Sequence, residues 1–295
     1  MRARVAAIAA WVAIGTGACD FPWDFSAPYP GDEAIDFGTW AEMGAGSFLM
    51  GSPASEPGRV DDEEQHAVAL WSGFQIMTTE VTRAQFEGIM GYAPSSGSVA
   101  ACPSCPVDSV SWHEAAAYAN RVSELKEVQR CYDCSGSGRG VSCALGSDFA
   151  DPYECPGYRL PTEAEFEYAA RAGTTGGTYA GTVPAFECPD TSDMLDAIAW
   201  YCGNSDGASH PVAQLEPNDW ALCDMLGNVW EWTNDWYAPY EGDATDPWGP
   251  SDGVERTMRG GCHDDWNEGA RAAARGHAAP ELTTPDLGFR LARTI

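Results

Sequence analysis

Helix-start chemistry appears in three segments of this 295-residue chain, and the stretches between them are crowded with Gly, Pro, Asp and Trp. In each segment a hydroxyl residue precedes Glu or Gln by three positions, so each side chain satisfies a free backbone amide beside the other. The pairs are Thr82/Gln85, Ser111/Glu114 and Thr162/Glu165. The first helix is expected to present Phe86, Ile89 and Met90 and to stop at Gly91; the second presents Ala115, Tyr118, Ala119, Val122 and Leu125; the third presents Phe166, Ala169 and Ala170 and stops at Gly173. Strand-like runs at Ser47–Met50, Ala67–Leu70 and Phe74–Met77 are short. Regular structure is therefore sparse. With 12 Trp and 32 Gly, much of the core must be aromatic rings packed under irregular loops, whose indole N–H groups need buried acceptors.

The N-terminus reads as an export signal. Arg2 and Arg4 form a basic start, and Val5 to Ile14 an apolar run too short to span a bilayer as a mature helix. Thr16-Gly17-Ala18-Cys19 then places small residues before a cysteine, which suits a lipoprotein signal peptidase and leaves Cys19 as the lipid-bearing N-terminus. An aliphatic residue is commoner at the place of Thr16, and the alternative is an ordinary secretory signal with a fortuitous cysteine. Residues 1–19 are the expected signal peptide, 20–36 a tether rich in Pro, Gly, Asp and aromatics, and 37–295 one domain without internal linker or repeat. The expected location is the cell envelope, periplasmic or surface-exposed, with membrane contact through the lipid anchor.

A net charge of −28, spread along the chain, repels polyanions and argues against a nucleic-acid partner. Such acidity suits solubility or calcium affinity. Eleven cysteines less Cys19 leave ten, an even number in a compartment where disulfides persist, so most are expected to be paired. Cys102-x-x-Cys105 and Cys131-x-x-Cys134 each resemble half of a zinc site, but disulfides are the better reading after an export signal. Cys131 to Cys155, with Ser135-Gly136-Ser137-Gly138 inside it, reads as an exposed insertion held by its own disulfides.

Several motifs in order carry a specific likeness. They are Phe48-Leu49-Met50-Gly51-Ser52; Thr79-Glu80-Val81-Thr82; Pro106-Val107 with Val110-Ser111-Trp112; Tyr158-Arg159-Leu160-Pro161-Thr162-Glu163-Ala164-Glu165-Phe166; Asp224-Met225-Leu226-Gly227-Asn228-Val229-Trp230-Glu231-Trp232; Arg259-Gly260-Gly261; and Leu287-Gly288-Phe289-Arg290. Over residues 37–295 the chain resembles the formylglycine-generating, or sulfatase-modifying factor, family. The resemblance implies an α+β fold of C-type-lectin-like type with little regular secondary structure. It leaves the chemistry open, because the family spans copper-dependent oxidases that convert a sulfatase cysteine to formylglycine, sulfoxide synthases, and lipoproteins without established catalysis.

The oxidases hold copper between two cysteines of one loop, the first followed by His and the second five residues on. Here the loop reads Gly261-Cys262-His263-Asp264-Asp265-Trp266-Asn267-Glu268. Counted backward from Arg271, Cys262 and His263 fall on the first cysteine and its His, and Asn267 replaces the second cysteine. Counted forward from Gly261, Cys262 takes the place of a serine found in short, non-oxidase members, and this count is preferred because it needs no deletion. Either way one soft ligand is missing. A disulfide from Cys262 to Cys223 or Cys202 is the structural expectation. The five histidines show no metal-type spacing.

Calcium is the metal the sequence favours. Two carboxylates seven residues apart, Asp224 and Glu231, flank a Gly-Asn turn. By resemblance these side chains would join backbone oxygens of Leu226, Gly227 and Val229; the alternative pairs Glu231 with a buried Arg such as Arg259. The favoured reading is thus a family lipoprotein that binds a protein or peptide partner in the groove the oxidases use. The alternatives are a copper oxidoreductase in which Cys262 and His263 act with a cysteine from outside the loop, and a lectin-like glycan binder.

Overall fold

The protein is described here from a computed structural model covering residues 36–95, 101–184, 188 and 190–295. The expected signal peptide, Cys19 and all of the tether but Asp36 lie outside the described residues. Among the described residues no helix is long and apolar enough to cross a membrane.

The three helices form where their caps place them. Helix α1 (Arg83–Met90), α2 (Trp112–Leu125) and α3 (Glu163–Arg171) each begin in a complete capping box, from Thr82/Gln85, Ser111/Glu114 and Thr162/Glu165. Gly91 ends α1 in the left-handed region at φ 77°. Helix α3 stops one residue before Gly173, because Ala172 already turns left-handed. Phe86, Tyr118, Ala119, Phe166, Ala169 and Ala170 are all buried, as their spacing demands. A single further turn, α4, spans Asp193–Asp196.

Strands are short and gathered in small sheets. Strand β4 (Phe74–Met77) lies between β1 (Trp40–Met43) and the C-terminal β12 (Ala292–Thr294), antiparallel to both. Strand β3 (His66–Leu70) pairs antiparallel with β2 (Gly46–Met50) and parallel with the two-residue β8 (Ala244–Thr245). The hairpin β5 (Tyr132–Ser135) and β6 (Ser142–Leu145) forms the tip of the insertion. The sheet that carries the site has the order β10-β9-β7-β11, from β7 (Trp230–Trp236), β9 (Arg256–Arg259), β10 (Arg275–Ala278) and β11 (Leu287–Gly288).

The core is aromatic and polar at once. Trp112 and Trp232 are fully buried, and their indole N–H groups donate to Thr233 O at 2.8 Å and Val110 O at 2.9 Å, the acceptors their burial requires. Arg159, Arg259 and Arg290 are likewise fully buried, each against a buried carboxylate. Their guanidinium groups also donate to backbone carbonyls of the irregular loops, among them those of Leu160, Ala272 and Asp224. The insertion is tied by Cys131–Cys155 and Cys134–Cys143, and Cys102–Cys105 is a disulfide and not half of a metal site.

Candidate functional site

Strand β7 begins where a tight loop, residues 224–229, meets the loop that carries Cys262. The meeting depends on Gly227, at φ 75°: a Cβ there would lie 2.2 Å from Trp200 O. On the other side Gly261 sits at φ 77°, where a Cβ would lie 2.5 Å from Gly269 O. Backbone thus approaches backbone at both positions.

Asn228 joins the loops. Fully buried and left-handed at φ 62°, it donates Nδ2 to Glu80 Oε1 at 3.0 Å and accepts at Oδ1 from the His210 N–H at 2.9 Å. Its carbonyl accepts from both the His263 backbone N–H and His263 Nδ1, each at 2.9 Å. Since a carbonyl only accepts, the ring hydrogen of His263 sits on Nδ1, and Nε2 lies 3.7 Å from Asp264 Oδ2. Ser205 Oγ donates to His263 O at 2.7 Å, and His210 stacks on Trp200 with centroids 3.7 Å apart. His263 is 5 % exposed and its orientation is fixed by Asn228.

Cys262 is a free thiol, 2 % exposed. Its backbone N–H donates to Asp265 Oδ2 at 2.9 Å, and Sγ lies 3.8 Å from Asp286 Oδ2. Burial, with Asp265 and Asp286 beside it, pushes the thiol far above its ordinary range, so it stays protonated. Burial also raises Asp265. The expected disulfide from Cys262 to Cys223 or Cys202 is corrected: Cys202 bonds to Cys188, and Cys223 is also free, its thiol raised by burial and by Asp224. The physical reason lies in the loop, where Asp265 caps Cys262 while only its carbonyl reaches Cys202 N, at 3.1 Å. Asn267, where a second copper thiolate would stand, is buried and gives Nδ2 to Pro184 O at 2.8 Å. One thiol and one amide do not fit copper(I), which needs a pair of soft thiolate donors.

Glu231 is fully buried and receives Arg290 in a fork, Nε to Oε2 and Nη2 to Oε1, both at 2.7 Å. Asp224 accepts the Ala213 N–H at 2.6 Å. The partner of Glu231 is Arg290, not Arg259, which instead bonds Glu163 and Glu167. Leu226, Gly227 and Val229 supply a turn and a strand start, with the Gly227 N–H held by Gly260 O at 2.8 Å. No group of three or more His, Cys, Asp or Glu among the described residues is arranged to hold a metal ion. Beside these two carboxylates lies a third, Glu80, whose Oε2 is buried without a hydrogen-bond partner among the described residues, and burial together with Asp224 and Glu231 raises its pKa well above the ordinary range. Glu80, Asp265, Asp286 and Arg290 complete the site; only Glu80 and Arg290 fall within the sequence motifs, and the three-residue step from Cys262 to Asp265 was the one local signal for a capping aspartate.

Above these buried groups the loop exposes Trp266, 51 % accessible, beside the open carboxylate of Asp264. The arrangement offers a surface with an aromatic handle. Both free thiols among the described residues, Cys223 and Cys262, have raised pKa values.

A family model described as the sulfatase-modifying factor enzyme 1-like domain matches residues 41–295. The chain is 37% identical over 155 residues to a formylglycine-generating enzyme of Streptomyces coelicolor, covering 46% of each. It is 28% identical over 271 residues to one of Bos taurus, covering 86% of this chain and 59% of that enzyme. The chain thus spans about half the length of these curated relatives. Among solved structures, Treponema denticola variable protein 1 superposes with a TM-score of 0.72 at 30% identity, over 87% of this chain and 95% of that one.

Proposed function

The chain belongs to the sulfatase-modifying factor enzyme 1-like family, and on that premise we propose a lipid-anchored envelope protein that binds a protein or peptide partner on the loops around Cys262, without formylglycine chemistry. The observation that carries the proposal is the loop of Cys262, a buried free thiol, in which Asn267 gives its amide to Pro184 O at the place where the backward count puts a second thiol. Oxidation of a substrate cysteine at copper needs a thiolate pair that leaves the metal open to the substrate. What remains is the exposed rim with Trp266, a residue type enriched at interface anchors. The anchor itself rests on the apolar run that ends at Cys19.

Two measurements test this. Incubating the purified protein with a sulfatase-type cysteine peptide, copper and oxygen is expected to leave the peptide unchanged by mass spectrometry; loss of the thiol with gain of an aldehyde, abolished by Cys262→Ser, would overturn the proposal. A photo-crosslinker at position 266 in native cells is expected to capture a polypeptide that one at Ser137, on the insertion tip, does not. Equal capture at both positions would remove the partner surface from these loops.

A further inference from the structure

The solvent face of the β2-β3-β8 sheet carries a second candidate site, away from the Cys262 loop in sequence and built from different chemistry. Side chains alternate along a strand, so Val68 and Leu70 enter the core while Ala67 and Ala69 face solvent. The same alternation puts Trp71, directly after β3, on the outer face, where it is 76 % exposed. Across the antiparallel register Leu49, 47 % exposed, stands opposite Ala67, and Ser47 opposite Ala69. On the other flank β8 brings Thr245 beside Ala69. Ser47, Ala67, Ala69, Asp243 and Thr245 line an open depression of about 270 Å³.

The polar flank is fixed before any ligand arrives. Asp243 Oδ1 accepts the Ala67 N–H at 2.9 Å, Asp246 Oδ1 accepts the Trp71 N–H at 2.8 Å, and the Asp246 N–H donates to Ala69 O at 2.8 Å. These bonds lock the 243–246 segment along β3, so its oxygens keep their positions at little entropic cost on binding. An exposed indole beside fixed polar groups offers an apolar face to a ligand ring.

We propose that this face binds a neutral saccharide. Trp71 follows Ala69 on the same face, outside the depression itself, so a pyranose that spans the two would set its apolar face on the indole and its hydroxyls toward Ser47, Thr245 and the second oxygen of Asp243. Among the described residues no lysine or arginine lines the depression, and Asp243 together with a net charge of −28 disfavours anionic ligands. The depression is too small for a stable protein contact, which buries about 800 Å² per partner. A floor of two alanines leaves room for a flat ring but gives no pocket for the anchors of an amphipathic helix.

Saturation-transfer NMR on the purified protein tests this with maltotetraose, cellotetraose and triacetylchitotriose as probes and trigalacturonate as the charged control. At least one neutral probe is expected to receive saturation and the control none. Trp71→Ala, at a position exposed enough to leave the thermal melt unchanged, is expected to weaken binding about tenfold, from the loss of the buried indole area. Trp71→Phe is expected to retain most of it. Silence from all three neutral probes, binding of trigalacturonate as strong as theirs, or unchanged binding by Trp71→Ala would each overturn the proposal.

Discussion

Replacing Arg290 with Met separates two kinds of buried ion pair in this protein. Arg290 is the counter-ion that forks onto Glu231, and it also donates to the carbonyls of Asp224, Cys223 and Met77 at 3.0 to 3.2 Å. Its removal leaves Glu231 buried without its cation, at a cost of about 3–5 kcal/mol, and orphans carbonyls at about 1–3 kcal/mol for each that finds no water. The sum reaches the whole stability of an ordinary domain, about 5–15 kcal/mol. Arg259→Met looks equally severe, because Arg259 is also fully buried. It is expected to be milder: Glu163 keeps Arg275 at 2.7 Å, and Glu167 keeps Arg171 at 2.7 Å. With both carboxylates still paired, the loss is that of the Ala272 and Ala273 carbonyls that Arg259 also serves, about 2–6 kcal/mol at about 1–3 kcal/mol each, or roughly 5–20 °C in Tm at this chain size. Differential scanning calorimetry decides the matter. Arg290→Met is expected to show no cooperative transition, Arg259→Met a lowered one, and Arg290→Met with Glu231→Leu a partial recovery. If the two single variants melt alike, or the double variant is no better than Arg290→Met, the reasoning from residual partners is wrong.

Other outcomes follow from single groups. Cys262 is expected to resist maleimide in the folded protein and to label fully in denaturant. Because its folded thiol pKa is raised, its stabilising share is complete below the unfolded value of about 8.5 and is lost as pH rises above it. Cys262→Ser should therefore remove up to about 1.4 kcal/mol of the destabilisation between pH 8.5 and 9.5, and identical alkaline stability profiles for both proteins would refute this. Chelation with EGTA is expected to leave Tm unchanged, since Arg290 occupies both oxygens of Glu231; a drop of several degrees would show a cation at Leu226, Gly227 and Val229 after all. Metabolic labelling with a fatty-acid analogue is expected in the wild type and absent from Cys19→Ser, and equal labelling would exclude the anchor.

Local chemistry was legible in the sequence. A capping box is complete within four residues, so Thr82, Ser111 and Thr162 announce their helices without help from the fold. The run Phe74–Met77 matches its strand, and the insertion is closed by its own cysteines as its composition suggests. Pairings across the chain were not legible. Glu231 stands opposite Arg259 across β7 and β9 and beside Gly288 across β7 and β11, yet its carboxylate takes Arg290 because Arg259 turns to Glu163 and Glu167 of α3, a choice that no spacing encodes. Cys262 stays unpaired for a similar reason, since its surroundings are two aspartates drawn from its own loop and from residue 286. The Trp71 face was hidden too: it exists only once Leu49, Ala67 and Thr245 come into register.

The two ends of the insertion, Cys131 and Cys155, are both fully buried and covalently joined, while the tip at Ser135–Gly140 lies in solvent. The closure cost of that loop is therefore met at its base, whatever the length of the tip. Lineages that lengthen, shorten or rewrite the tip would leave the core undisturbed, because extra residues add only a logarithmic penalty to an already closed ring. The same property makes the tip a place to graft an epitope or a reporter peptide without retuning the rest of the molecule.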